Sequence, residues 1–251
     1  MKEALICAMD IGEQMLVCGA EIRRVEDSME RMCYALGAKR IDVFIITSSM
    51  VVTVHDANGN AFTQTRRVLN IGTDIEKLHR LNELSREICR GNLSVEEIRA
   101  KYDAVMQSLP YPFWAECIAY AVIAGAFTLF FGGNRIESIV SLIVGAVVRF
   151  VVLLADKSAM NKIFAKFLCC FAATAMAFIA VRLGIIETVD MIVIGNIMTL
   201  IPGIGLTNAL RDLFTGDSIS GLLRSIEAVL IALAISAGYF LCAFIAGGVA
   251  V

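Results

Sequence analysis

The chain contains one tryptophan, two histidines and three prolines, and what it lacks closes off several kinds of chemistry. His55 and His79 have no second imidazole or cysteine at metal-ligand spacing, and the eight cysteines (Cys7, Cys18, Cys33, Cys89, Cys117, Cys169, Cys170 and Cys242) include no CxxC pair. These cysteines read as reduced, small core residues, with no metal and no cofactor expected. No block of Lys or Arg occurs and the net charge is −2, which sets nucleic acid aside as a partner. Thr47-Ser48-Ser49 has no base beside it, so no catalytic nucleophile is expected and the chain does not read as an enzyme. The N-terminus also lacks a basic stretch followed by an uninterrupted apolar core, because Asp10 and Glu13 break the opening segment; the first region is expected to stay in the cytoplasm.

What the chain does have is apolar surface: 58% hydrophobic residues and a mean hydropathy of +0.74. A soluble chain of this size rarely reaches such values. Charge is uneven, with 14 Lys/Arg and 16 Asp/Glu in residues 1–112 and 8 of each in the remainder. The expected fold is an α-helical integral membrane protein with about five transmembrane helices, preceded by a small α+β cytoplasmic domain. The division falls into 1–110 and 111–251.

In the first region Leu5, Ala8, Met9, Gly12 and Leu16 recur at helical spacing, and Val25, Met29, Met32, Cys33 and Leu36 repeat the pattern before Gly37. From Ile41 the texture turns β-branched, and Asp56-Ala57-Asn58-Gly59-Asn60 marks a turn between Met50–Val54 and Ala61–Val68. Thr73 with Glu76, and Ser94 with Glu97, have capping-box spacing, so two more helices are expected to start there. The order predicted is ααβββαα. Pro110 and Pro112 end the last of these helices, and Tyr111 and Trp114 suit a membrane interface.

Five apolar stretches follow, near 113–131, 136–155, 163–183, 188–201 and 226–251. With the N-terminus inside, the inner loops would hold Lys157, Lys162, Lys166, Arg211 and Arg224, and the outer ones Arg135 and Arg182. That imbalance favours an N-in, C-out topology. An odd number of spans would also suit assembly with a second, oppositely inserted unit.

Residues 202–221 combine Pro202, Gly203, Gly205, Gly216 and Gly221 with Thr207, Asn208, Arg211, Asp212 and Asp217. A helix broken at membrane depth frees backbone groups to line a cavity, where Arg211 would meet a substrate carboxylate and Asp212 or Asp217 would take a proton. The alternative is an ordinary cytoplasmic loop carrying a short amphipathic helix, with Asp217 as the next N-cap. Arg149 and Asp190 are the other charged residues inside apolar stretches that could serve a solute or proton path; Arg149 could instead reach toward the interface along its own stem. In the first region, the run Gly19-Ala20-Glu21-Ile22-Arg23-Arg24-Val25-Glu26-Asp27 opens the second helix with dense charge, which by itself is a solvated face with i, i+4 pairs.

This run with Gly37, together with Pro202-Gly203, Thr207-Asn208-Ala209-Leu210-Arg211-Asp212, Gly216-Asp217 and Gly221, resembles the threonine/serine exporter family over nearly the whole chain. The resemblance implies a proton-motive-force-driven exporter of threonine, serine or related small metabolites in the bacterial inner membrane. Its motif positions fall here on Gly19, Glu21, Arg24, Glu26 and Asp27, and on Pro202, Gly203, Thr207, Asn208, Arg211, Asp212, Asp217 and Gly221. The sequence holds one membrane half and is similar to the split form of the family. It would then work with a separate small membrane protein resembling the family's C-terminal half, in a complex open to higher oligomers, and small dicarboxylates join the candidate solutes. A membrane-anchored enzyme and a non-transporting assembly subunit are the competing readings.

Overall fold

The computed structural model describes residues 1–69, 71–91, 93–158 and 160–247. The chain forms two compact units, Met1–Leu109 with Gly203–Ile226, and Pro110–Pro202 with Glu227–Val251. Gly248 and the residues after it, the end of the last expected span, lie outside the described residues.

The first unit begins with α1 (Lys2–Val17) and α2 (Ile22–Ala35), whose apolar stripes meet in its core. Leu5, Met9, Met15, Leu16, Ile22, Met29 and Met32 are each at most 1% exposed. Each such side chain contributes about 1.5–3 kcal/mol of burial. The two helices cross closely at Gly12, where a Cβ would come within 2.4 Å of the Met29 sulfur. Gly19 makes the connection at φ +93°, a left-handed conformation that a side chain disfavours. The antiparallel meander β1 (Arg40–Ile46), β2 (Ser49–His55) and β3 (Ala61–Arg67) has the order β1-β2-β3. Met50, Val52 and Val54 alternate into the same core, as period-2 patterning requires.

Next come α3 (Ile75–Cys89) and α4 (Val95–Met106), completing the predicted order of the first region. The Ser94–Glu97 capping box forms as expected, with Glu97 N–H donating to Ser94 Oγ at 3.2 Å and Ser94 N–H to Glu97 at 2.7 Å. The cap of α3 is Asp74, one residue later than the expected Thr73, because its carboxylate accepts the Lys77 N–H at 2.9 Å.

Two later segments complete this unit, α9 (Gly203–Thr215) and the first turns of α10 (Ser218–Ile245). The expected break within 202–221 is confined to one place. Pro202 precedes the first turn of α9, where a missing N–H costs nothing, and the helix then runs uninterrupted to Gly216, whose φ of +102° turns the chain into α10. Gly221 lets α10 approach α9, since a Cβ there would meet the Ala209 carbonyl at 2.8 Å and Leu213 at 2.7 Å.

The second unit contains α5 (Phe113–Phe130), α6 (Arg135–Lys157), α7 (Lys162–Arg182), α8 (Asp190–Ile197) and the rest of α10. Among the described residues four helices, α5, α6, α7 and α10, are long and apolar enough to cross a membrane. The expected fourth span does not qualify: α8 has eight residues, about 12 Å of helix, against the ~30 Å of a hydrocarbon core. The last helix starts at Ser218 rather than near 226 and has 28 residues. Although short, α8 is enclosed by its neighbours, with Ile192, Val193 and Asn196 buried. Small residues allow this packing, since a Cβ on Gly195 would meet Thr128 Oγ1 at 2.2 Å and one on Gly145 the Tyr120 carbonyl at 2.7 Å.

Candidate functional site

The two charged motifs read from the sequence meet within the first unit. α9 lies along the N-terminus of α2, and its polar face reaches the α1–α2 connection. Arg211 Nη1 donates to Glu21 Oε1 at 2.6 Å, and Asn208 Nδ2 donates to the Gly19 carbonyl at 2.9 Å. From the start of α10, Arg224 donates to the Ala20 carbonyl at 3.5 Å and stands 3.3 Å from Asp212 Oδ2. Arg23 returns the contact, donating to the Thr215 carbonyl at 3.3 Å. Helix α2 thus meets three carbonyl- or carboxylate-directed cations, one of them its own.

Asp212 is the most enclosed charge of this cluster, its side chain 1% exposed against 63% for Arg211. The Ile22 N–H at the start of α2 faces it, and a helix N-terminus favours an anion. Neither carboxylate oxygen receives a fully formed hydrogen bond, however, and Arg224 Nε is buried without a partner among the described residues. Burial accordingly raises the Asp212 carboxyl above the ordinary range, with Asp217 and Glu21 pushing the same way, against the pull of Arg224 and the Ile22 N–H. Glu26 behaves similarly: burial and Asp217 raise it, while the Ile45 N–H, donated at 3.2 Å, and Arg23 act against them. Glu21, Glu26, Asp212 and Asp217 with Arg23, Arg211 and Arg224 make a dense set of coupled charges. Among the described residues no group of three or more His, Cys, Asp or Glu could hold a metal ion.

Other motif positions remain apart from these contacts. Arg24 is exposed, and Asp27 pairs with Arg31 at 3.1 Å on the solvated face of α2. Thr207 is exposed and its hydroxyl returns to the Gly203 carbonyl of its own helix, while Gly203 and Gly205 are exposed in the first turn of α9. Gly221 acts through close packing, as described above.

The second unit holds a separate polar set. Arg149 pairs with Glu116: its Nε donates to Glu116 Oε2 at 2.9 Å, and Nη2 donates to the same oxygen. The guanidinium lies 5.4 Å from the Phe113 ring centroid and 5.9 Å from that of Tyr120. Asp190 is exposed at the start of α8, with no ion pair among the described residues. Beside α8, Asn196 Nδ2 donates to Ser141 Oγ and to the Ile192 carbonyl, both at 2.9 Å, and Thr128 Oγ1 contacts Ser141 Oγ at 2.8 Å. Sequence reasoning passed over Thr128, Ser141 and Asn196, whose only signal was a hydrogen-bonding side chain within an apolar run. It counted Arg224 only as a topological charge.

The comparisons with known proteins agree with one another. Residues 7–246 match a family described as "Putative threonine/serine exporter" (ThrE). Among curated proteins, the chain is 24% identical to a probable succinate transporter subunit, YjjP, from Klebsiella aerogenes, over 89% of this chain and 86% of that protein. It is 23% identical to the YjjP of Escherichia coli K12, also named a probable succinate transporter subunit, over 89% of this chain and 87% of that one. No solved structure matches. A match of this extent makes the chain a member of the threonine/serine exporter family.

Proposed function

We propose that this chain is one subunit of a proton-motive-force-driven exporter of small carboxylate-bearing metabolites in the inner membrane. It works with a second small membrane protein that resembles the C-terminal half of the long family form. Small dicarboxylates such as succinate lead the solutes, because both curated relatives carry that name, with threonine and serine next. The observation that carries the reading is α8, an eight-residue helix with a buried asparagine enclosed by helices long enough to span a bilayer. A membrane anchor has no use for such an element, whereas discontinuous helices with hydrogen-bonding side chains are how transporters present polar groups at depth.

Residues 1–110 are taken as cytoplasmic and 111–251 as the membrane part, with the α9 segment returning to the cytoplasmic side. Chain parity supports this: α9 belongs to the same compact unit as α1–α4, although three membrane-capable helices intervene. In this reading the stretch from 188 to 202 brings the chain back as a short and broken fourth crossing, and α10 then carries the C-terminus outward. Asp212 is the proton-coupling residue in this scheme, a carboxyl raised by burial and held between Arg224 and α2. Arg211 and Glu21 position it by fixing α9 against α2.

The test is efflux from cells preloaded with labelled succinate, threonine or serine, expressing this chain alone or with the second subunit. Efflux that requires both and collapses with an uncoupler is the expected result. Asp212→Asn should abolish it at unchanged membrane abundance; efflux at the wild-type rate would remove Asp212 from the coupling role. No efflux of any of the three solutes with both proteins in the membrane would reject the reading.

A further inference from the structure

The second unit contains a half-used guanidinium. Arg149 carries five N–H donors in a planar fork. Glu116 takes one from Nε and one from Nη2, both on Oε2, which occupies a single edge of the fork. The opposite edge, formed by Nη1 and the remaining Nη2 hydrogen, faces the interior, and Nη1 is buried with no partner among the described residues. The Arg149 side chain is 13% exposed, so water does not generally satisfy this edge. A buried donor left unpaired costs about 1–3 kcal/mol, more when charged, and a native site that retains one does so for a reason.

The surroundings suit an incoming anion. Phe113 and Tyr120 lie against the guanidinium and hold its plane, leaving the fork little freedom to swing away from a bound group.

We propose that the Nη1–Nη2 edge of Arg149 binds the carboxylate of the transported solute, with Glu116, Phe113 and Tyr120 orienting the fork. A guanidinium fork matches a carboxylate in two parallel hydrogen bonds, and Glu116 already occupies the other edge in the same plane. Threonine, serine and succinate all possess the group recognised here. The inference rests on the exporter reading above.

The source strain, deleted for this gene and complemented with the full chain, provides the test. Wild type, Arg149→Gln and Arg149→Lys are compared at matched membrane abundance. One readout is efflux of labelled succinate; the other is protection of the chain from heat in isolated membranes by succinate, with succinamide as the uncharged isostere. Wild type should be protected by succinate and not by succinamide. Arg149→Gln should lose protection and efflux together. Arg149→Lys should raise the half-maximal succinate concentration at least tenfold, since an ammonium cannot serve two carboxylates with two flat edges. An Arg149→Gln chain that is abundant, protected and active as wild type overturns the site while leaving the exporter reading intact. A wild-type chain that exports none of these solutes rejects the exporter reading itself. Protection by added phosphatidylglycerol that depends on Arg149, with none from succinate, would assign the edge to a lipid headgroup and overturn the proposal.

Discussion

Arg211 on α9 donates to Glu21 at the start of α2 across 2.6 Å, joining positions 190 residues apart in the sequence. With Arg211 63% exposed, the pair contributes only about 0.2–1 kcal/mol to stability, so a large functional effect on breaking it cannot be put down to unfolding. Glu21→Arg and Arg211→Glu should each reduce efflux at least tenfold with melting temperatures within a few degrees of wild type. The double swap should recover a substantial part of the activity; a double variant as inactive as either single one would show that the two side chains do not act as a pair.

Glu26 gives a pH prediction. Burial raises its carboxyl above the ordinary 4.5, so the folded chain holds a proton there that the unfolded chain releases. The associated stability is complete below that ordinary value and is lost as pH rises through the raised one. Glu26→Gln retains an acceptor for the Ile45 N–H without the charge. Its melting temperature relative to wild type should therefore increase between pH 4.5 and neutrality; a constant difference across that range would discard the linkage.

Gly221 is where α10 comes closest to α9, within 2.8 Å of the Ala209 carbonyl for an added Cβ. Gly221→Ala should destabilise the chain by about 1–3 kcal/mol through overpacking. Thermal melting of solubilised protein would register a drop of several degrees, whereas an unchanged melt would mean that the two helices part without cost.

Topology can be read with an impermeant maleimide on intact cells. Cys89 is exposed in the first unit, and a cysteine introduced as Ala246→Cys would report the end of α10. With five crossings, Cys89 stays unlabelled until the membrane is permeabilised, while the cysteine at position 246 labels at once. Protection of both in intact cells would leave an even number of crossings and reject the return of residues 188–202.

Much of the fold was legible because periodicity is a property of short segments. Met50, Val52 and Val54 announced a half-buried strand, and Ser94 with Glu97 announced the cap they form. The helix within 188–201 was less legible: the run is apolar enough to suggest one continuous helix, yet α8 covers only Asp190–Ile197, with Pro202 ahead. Charge pairing across long separations was equally hidden: nothing near Glu21 in sequence points to Arg211, and nothing near Glu116 to Arg149. The glycines were visible as letters, but their purpose became apparent only when the Gly221 backbone met Ala209 and the Gly19 backbone met Gly72.

The first unit is discontinuous in the chain, with residues 203–226 returning to residues 1–109, and this sets an order of events during synthesis. The amino-terminal body leaves the ribosome first, but its missing helix follows roughly a hundred residues later, on the order of ten seconds at ordinary elongation rates. Throughout that interval the carbonyls of Gly19 and Ala20 and the carboxylate of Glu21 have only water or a chaperone as partner, while α5, α6 and α7 enter the translocation machinery. Closure of the body by α9 therefore waits on residues 110–202: Asn208, Arg211 and Arg224 reach their places only after that intervening stretch has been made.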